Sequence, residues 1–352
     1  MPESQQVVIV GVGLTTPVGL SAAETAASVR ASMMAMEETD FRDHRFDRVV
    51  LGEVPDEGLA PLADGLTSSA GLTAREERML RLATNAVREC VAPLQGRRLP
   101  LGLCLALPEL ETKLPLDGGA FLSRLSVQVG GIVHPAGSDA SHRGRAGGVI
   151  AMGQAVLTIE RGIANFIIAG GVDTHRDAYV LGTLDLEQRL KSNEHHDGFI
   201  PGEGAGFLLL ASERAAAAES VPIIGRLSGV AMGFEAGHLY SATPYRGDGL
   251  ASAIAQMAAA GGAPVAEVYS SMNGESHWAK EWGVSFIRNR AAFAPDYEMH
   301  HPADCFGDTG AACGPIMAGL AALGIRGSYR RPPALVYGSS DRGARAAVMV
   351  TA

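Results

Sequence analysis

Residues 141–173, SHRGRAGGVIAMGQAVLTIERGIANFIIAGGVD, limit the choice of fold more than any other part of the chain. A glycine-rich turn opens an apolar helix over about 145–161, and a short apolar strand at 165–169 runs on to Gly170-Gly171. A helix that is apolar around most of its circumference must be enclosed on several sides, so this one is expected between sheets and not on a surface. Its first turn is also a chemical position, because free N–H groups and the helix dipole favour an anion there. The residue at that position is Arg145. A cation there opposes the dipole and, if buried, needs an anionic partner.

A second stretch has the same plan: Gly307-Asp308-Thr309-Gly310 opens an apolar helix to about residue 323. Around these two helices the chain reads as α/β. In the first part, strands are expected at 7–10, 101–107 and 207–211, with an edge strand near 49–51 and a short strand at 131–134. Helices are expected at 21–30, where Ser21 and Glu24 form a capping box, at 73–91, where Thr73 and Glu76 form another, and at 121–127. In the second part the pattern gives strands at 221–232, 268–272, 334–337 and 346–350, and helices at 249–260 and 278–288. The repeat of βαβ-rich organisation suggests a duplication, with an N-terminal half at 1–218 and a C-terminal half at 219–352.

Composition narrows function mainly by exclusion. The 352 residues are 47% hydrophobic and 19% charged, so a sizeable core can be buried. A formal net charge of -9 argues against nucleic acid and anionic membrane surfaces as partners. Cys90, Cys104, Cys305 and Cys313 show no zinc spacing, and reduced thiols in a cytoplasmic protein are expected. The apolar run at 7–10 has no basic region before it, so neither a signal peptide nor a membrane span is expected. Gly11-Val12-Gly13 after a strand resembles part of a dinucleotide fingerprint, but Thr16 stands where the third glycine is required. A tight strand-to-loop turn is the better reading, and no cofactor is expected.

The segments VVIVGVGLTTPVG, GIANFIIAGGVD and DGFIPGEGAGFLLL together resemble the β-ketoacyl synthases of the thiolase superfamily. The resemblance spans essentially the whole chain. It implies a five-layered αβαβα fold of two duplicated halves and a homodimer formed along the strand that ends at AGGVD. It also implies where a Cys-His-His set for decarboxylative condensation would stand. Counting back from AGGVD, the cysteine position is Arg145. The first histidine position is Asn273, in Ser-Met-Asn-Gly-Glu-Ser-His-Trp at 271–278. The second is Gly307, or Asp308 if the match slips by one residue. The family's supporting lysine has no counterpart near His301 and Pro302, and its C-terminal glycine loop is replaced by Gly-Ser-Ser-Asp-Arg-Gly at 338–343.

An arginine has no nucleophilic lone pair at neutral pH and an asparagine is neither acid nor base, so condensation chemistry is not available. The expected pocket residues are Arg145, Asn273, Glu275, His277, Cys305, Asp308 and Ser339, with Arg145 paired to Glu275 or Asp308. Relocated catalysis by Cys305 with Asp308, His300 and His301, and a metal at His195-His196, are weaker readings, and no metal is expected. Trp278 and Trp282 share a helix face, with core packing the simpler reading. Degenerate chains of this kind resemble the thiolase-like proteins associated with type VI secretion. That resemblance implies a non-catalytic dimeric scaffold or accessory partner for a secretion effector or adaptor. The alternative is an acyltransferase or acyl-thioester-binding enzyme with a rebuilt site, in which Asn273 serves an oxyanion. Acyl carrier protein or acyl-CoA as partner ranks behind the scaffold reading.

Overall fold

The structure is a computed structural model and describes residues 6–67, 71–110, 115–260 and 262–352. The N-terminal part runs β1 (Val7–Thr15), α1 (Ala22–Arg30), β2 (Glu37–Arg42), β3 (Arg48–Leu51), α2 (Ala74–Val91), β4 (Leu103–Leu107) and α3 (Gly118–Gln128). It continues with β5 (Asp139–His142), α4 (Gly144–Glu160), β6 (Phe166–Thr174), α5 (Ala178–Leu186), β7 (Glu203–Ser212) and α6 (Glu213–Ala218). The remainder runs β8 (Gly225–Phe234), α7 (Asp248–Ala259), β9 (Val265–Ser270), α8 (Ser276–Arg288) and β10 (Phe293–His300). It ends with α9 (Ala303–Phe306), α10 (Cys313–Arg326), β11 (Ala334–Ser339) and β12 (Ala344–Thr351).

Ten strands form one continuous sheet in the order β10-β9-β11-β12-β8-β1-β7-β6-β4-β5, and β2 and β3 make a separate hairpin. The order contains the same design twice. In β5-β4-β6-β7-β1 and in β10-β9-β11-β12-β8, the first three strands are parallel, and the fourth runs antiparallel to both its neighbours. The two sets meet where Val7, Val8 and Ile9 pair antiparallel with Leu227, Arg226 and Gly225. Helices α2 and α3 cover one outer face, and α7 and α8 the other. Helices α4 and α10 lie between, each touching strands of both sets. This is the five-layered αβαβα arrangement with duplicated halves.

The β-branched run at the start of β1 follows from that layering. Val7 and Ile9 face the central cluster around α4 and α10, while Val8 and Val10 face the outer cluster under α2. A strand buried on both faces has no polar side to show. Gly11 and Gly13 lie within β1 and make no turn. A Cβ on either would fall 1.9 Å from the carbonyl oxygen of Cys90 or Ala86 on α2. They are glycine so that a helix can rest on the strand.

Several expectations need correction. Residues 131–134 are not a strand and contribute only a Leu101–Val133 bridge; the parallel partner of β4 is β5. Strands β2 and β10 carry too few periodic apolar residues to stand out, and in the short helix α5 the apolar residues are spread around the helix and form no single face, so none of the three is expected from the sequence. Ser21 accepts the Glu24 amide at 3.2 Å, but the Glu24 carboxylate turns back to the Leu20 amide at 2.8 Å, so the expected box closes one residue early. The Thr73–Glu76 box is complete. The strand ending at AGGVD is β6, hydrogen-bonded to β4 on one side and β7 on the other, so it offers no edge to a second copy. The edge strand on that side is β5. Among the described residues no helix is long and apolar enough to cross a membrane.

The central helices approach closely because α4 carries Gly148, where a Cβ would fall 2.2 Å from Pro315 Cδ at the start of α10. Substitution G148A should destabilise the chain by roughly 1–3 kcal/mol, since overpacking outweighs the helix-propensity gain. By contrast nothing lies within 4 Å of a Cβ at Gly182 in α5. There G182A should stabilise by about 0.5–1 kcal/mol. Urea unfolding of the two variants checks both signs.

Candidate functional site

The first turn of α4 has no side-chain cap of its own. The turn at 338–343, between β11 and β12, supplies one from across the fold. Ser340 Oγ accepts the Ala146 amide at 2.9 Å and donates to the Arg143 carbonyl. The approach is tight, since a Cβ at Gly338 would fall 2.4 Å from the Arg145 carbonyl oxygen. Ser339 contributes its carbonyl, which accepts Arg145 Nε at 2.9 Å, while its buried hydroxyl has no hydrogen-bond partner among the described residues.

Arg145 is 5% exposed, and its remaining nitrogens are matched to carboxylates. Nη1 donates to Asp308 Oδ2 at 2.6 Å and Nη2 donates to Asp341 Oδ1. The guanidinium carbon lies 4.6 Å from the centre of the Trp278 ring, a cation–π distance. A second buried arginine extends the network. Arg189, just beyond α5, grips Glu275 with Nε at 2.7 Å and Nη2 at 2.9 Å, and reaches Asp341 Oδ2 at 2.7 Å. Asn273 uses both amide hydrogens inside the cluster, one on Glu275 at 3.0 Å and one on Asp308 at 2.9 Å. Trp278 Nε1 donates to Glu275 at 2.9 Å, and the Gly310 amide donates to Asp308 Oδ1 at 2.8 Å.

The electrostatics follow from this packing. Burial pushes the Asp341 carboxyl upward, but Arg145 and Arg189 outweigh it and hold the group well below the ordinary carboxylate range. Asp308 is likewise lowered, because Arg145, His175, the Gly310 amide and Asn273 outweigh its burial. Burial opposes the charge on Arg145, and Asp341 and Asp308 more than restore it. Arg145, Asp308 and Asp341 therefore remain charged together, in a site where an unpaired charge would cost several kcal/mol.

The expected residues sort into two groups. Arg145, Asn273, Glu275, Asp308 and Ser339 meet in one place, and of the two carboxylates offered to Arg145, Asp308 takes it while Glu275 binds Arg189 instead. Gly307 lies beside them as backbone only; with φ +76°, its Cβ would fall 2.7 Å from the Pro201 carbonyl, and Asp308 supplies the side chain. His277 does not line the cleft. Its ring packs edge-on against Tyr245 and Trp278, at 5.1 and 4.7 Å between centres. Cys305 does not line it either; with His300 and His301 it faces a different cavity, beside α1 and β10. Trp278 belongs to the site, and Trp282 is core, stacked on Tyr337 at 5.3 Å.

Arg189, Asp341, Arg75 and His175 went unrecognised in the sequence. Asp341 carries a faint signal, as an acidic residue in a Gly-Ser-Ser-Asp-Arg-Gly turn; nothing distinguishes the other three, and Arg189 sits in an ordinary charged stretch between Glu187 and Lys191. The cleft above Arg145 is small, about 120 Å³, and its walls include Arg75, Glu109, His175, Tyr179 and Tyr240. Below Asp308 a crevice of only about 20 Å³ runs to Cys313 and Met317, room for a single water.

Among the described residues the arrangement holds no activated thiol. Burial raises the thiols of Cys90, Cys305 and Cys313 and pushes that of Cys104 up to about 12, so no thiolate is ready at neutral pH. Cys313, at the start of α10, donates to the Arg145 carbonyl at 3.5 Å. Asn273 has no free N–H for an oxyanion, because both are committed to carboxylates.

The family described as "Beta-ketoacyl synthase, N-terminal domain" matches residues 145–216, from Arg145 to α6. Solved structures match along nearly the whole chain. One described as the ishigamide ketosynthase/chain length factor superposes with TM-score 0.79 at 17% identity, covering 99% of each chain. The fold is a ketosynthase fold. A type II polyketide synthase ketosynthase, described in complex with its acyl-carrier protein, gives TM-score 0.80 at 17% identity over 99% of this chain and 100% of that one. The oxazolomycin ketosynthase domain from Streptomyces albus JA3453 gives 0.79 at 16% identity, over 99% of this chain and 74% of that one. No curated protein matches the sequence. Within the ketosynthase fold, then, the start of α4 carries a paired arginine.

The cluster sets a pH dependence. Asp308 and Asp341 stay ionised in the fold below the unfolded carboxylate value of about 3.9, so their contribution is complete above it and is lost as pH falls toward the folded values. Urea stability should therefore drop from pH 5 to pH 3 (roughly the carboxylate titration range). D341N should be less stable at pH 7 and show a shallower acid slope; an unchanged slope would place the acid lability elsewhere. R145M, which removes the ion pair of Asp308 and leaves Asp341 to Arg189 alone, should cost about 3–5 kcal/mol, and adding D308N should return part of that loss.

Proposed function

We propose that this chain is a non-catalytic ketosynthase-fold protein that acts as a dimeric scaffold or accessory partner for another protein. The observation that carries the reading is the guanidinium of Arg145, buried between Asp308 and Asp341 at the helix start where the resemblance puts a nucleophilic cysteine. A fixed cation there, with Asn273 and Gly307 at the histidine positions, leaves neither nucleophile nor base for thioester chemistry. The small volume of the cleft and of the crevice below it supports the same reading, since an acyl chain needs a longer channel.

The division into halves at 218/219, between α6 and β8, belongs to this proposal: each half keeps the same strand order, and the charge cluster joins them. For a homodimer, edge strand β5 is the element of the large sheet that can pair with its own copy, because every other strand that this half gives to that sheet is hydrogen-bonded on both sides. The further partner we favour is a secretion effector or adaptor, of the type implied by the resemblance to type VI secretion-associated thiolase-like proteins. Acyl carrier protein is the competing partner; one solved neighbour is described with such a protein bound to its ketosynthase.

Intact-mass measurement after incubation with malonyl- and acyl-thioesters tests the chemistry. The expected result is an unmodified chain and no release of carbon dioxide. A stoichiometric acyl adduct, mapped to Cys305 or Cys313, would overturn the proposal in favour of a rebuilt acyltransferase. R145C should remain inactive as well, because a restored thiol would still lack its base.

A further inference from the structure

Outside the Arg145 cluster, Glu267, Glu298 and His300 converge at the far edge of the sheet. Each offers one ligand atom, and these atoms all lie within 4.8 Å of one another. Strand register produces the convergence. In the parallel pair of β9 and β10, Glu298 stands opposite Glu267, and His300 lies two residues further along β10 on the same face. Two carboxylates directly opposite each other repel unless a cation lies between them.

Three features equip the group to ligate. Glu267 is 1% exposed, and its Oε2 lies 2.5 Å from His300 Nε2, so an imidazole nitrogen already points at a buried carboxylate. The Tyr269 ring, 4.7 Å from the His300 ring, steadies the imidazole. A cavity of about 340 Å³, lined by Tyr269, His300 and Arg330 among others, opens beside His300. We propose that Glu267, Glu298 and His300 form a binding site for one divalent transition-metal ion of the zinc class, the ion replacing the hydrogen bond between Glu267 and His300. One nitrogen and two carboxylate oxygens, with water completing the sphere, is a donor set that zinc accepts and that magnesium, lacking affinity for imidazole, does not favour.

Two arginines compete for the same carboxylates. Arg330 Nη1 sits 3.2 Å from Glu298 Oε2, its only ion pair among the described residues. Arg331 Nε is 3.8 Å from Glu267, but its head is held by Asp296 at 2.7 Å. Metal binding must displace Arg330 and can leave Arg331 in place; a single pair with a half-exposed carboxylate is weakly held. This site and the Arg145 cluster share no residue, so the inference does not depend on the proposed scaffold role.

Calorimetric titration of the full, tag-free chain with ZnCl2 tests the site, with MgCl2 as comparison and a metal-free thermal melt as the check that each variant is folded. One zinc ion per chain is expected to bind, with no saturable magnesium binding. H300A and E298Q should each weaken zinc by at least about tenfold, since even indirect supports of a metal site have effects of that size. R330Q should tighten it, because the competing cation is removed. Absence of saturable zinc binding by the unaltered chain overturns the proposal. So does zinc binding that R330Q and E298Q both leave unchanged, which would mark adsorption at other surface histidines.

Discussion

The structure turns on one buried ion network. Both of its arginines, Arg145 and Arg189, come from the N-terminal half, and its three carboxylates, Glu275, Asp308 and Asp341, all come from the C-terminal half. No cation of the set can be satisfied within its own half, so the network holds the halves in one relative placement. Hydrophobic contact between α4 and α10 is not directional and would tolerate small slips. Charge pairs at hydrogen-bond distance would not, because a displaced partner leaves a bare buried charge.

The same network explains how a helix start that should reject a cation can hold one. The dipole at the start of α4 disfavours Arg145 by a few tenths to about 1 kcal/mol. Asp308 and Asp341 bring two negative charges to the same place, and the turn at 338–343 adds a carbonyl and a hydroxyl. The helix end is thus satisfied in two ways at once, its amide by Ser340 and its cation by the carboxylates. What remains above it is a cleft of about 120 Å³, and burial raises the thiols of Cys305 and Cys313 above the usual range.

Much of the fold was legible because it is repetitive. The β-branched run of β1, the Phe-Leu-Leu-Leu run of β7, the alternation of apolar faces and the two glycine-opened helices all report burial, and burial leaves a periodic trace in the sequence. Strands β2 and β10 left no such trace, since half or more of their residues face water or meet charged partners. The site was legible where two residues of a motif sit close together, as with Asn273 and Glu275, or where a glycine turn marks the place, as with Asp308. Arg189 and Asp341 are 152 residues apart, and only the folded chain shows that they bond. The Glu267, Glu298 and His300 group was hidden for the same reason, because strand pairing and not spacing along the chain brings its members together.

The sequence by itself determined the α/β class, the duplicated plan and the placing of Arg145 at the start of an apolar, glycine-opened helix, because each of these is written in residue type and local order. Tertiary structure alone decided which carboxylates hold that arginine, which strand keeps a free edge, and that Cys305 and His277 face away from the cleft. Those outcomes depend on distances between residues far apart in the chain, and a one-dimensional pattern carries no information about which of several equally charged side chains will arrive within 3 Å (roughly the length of a charge-assisted hydrogen bond).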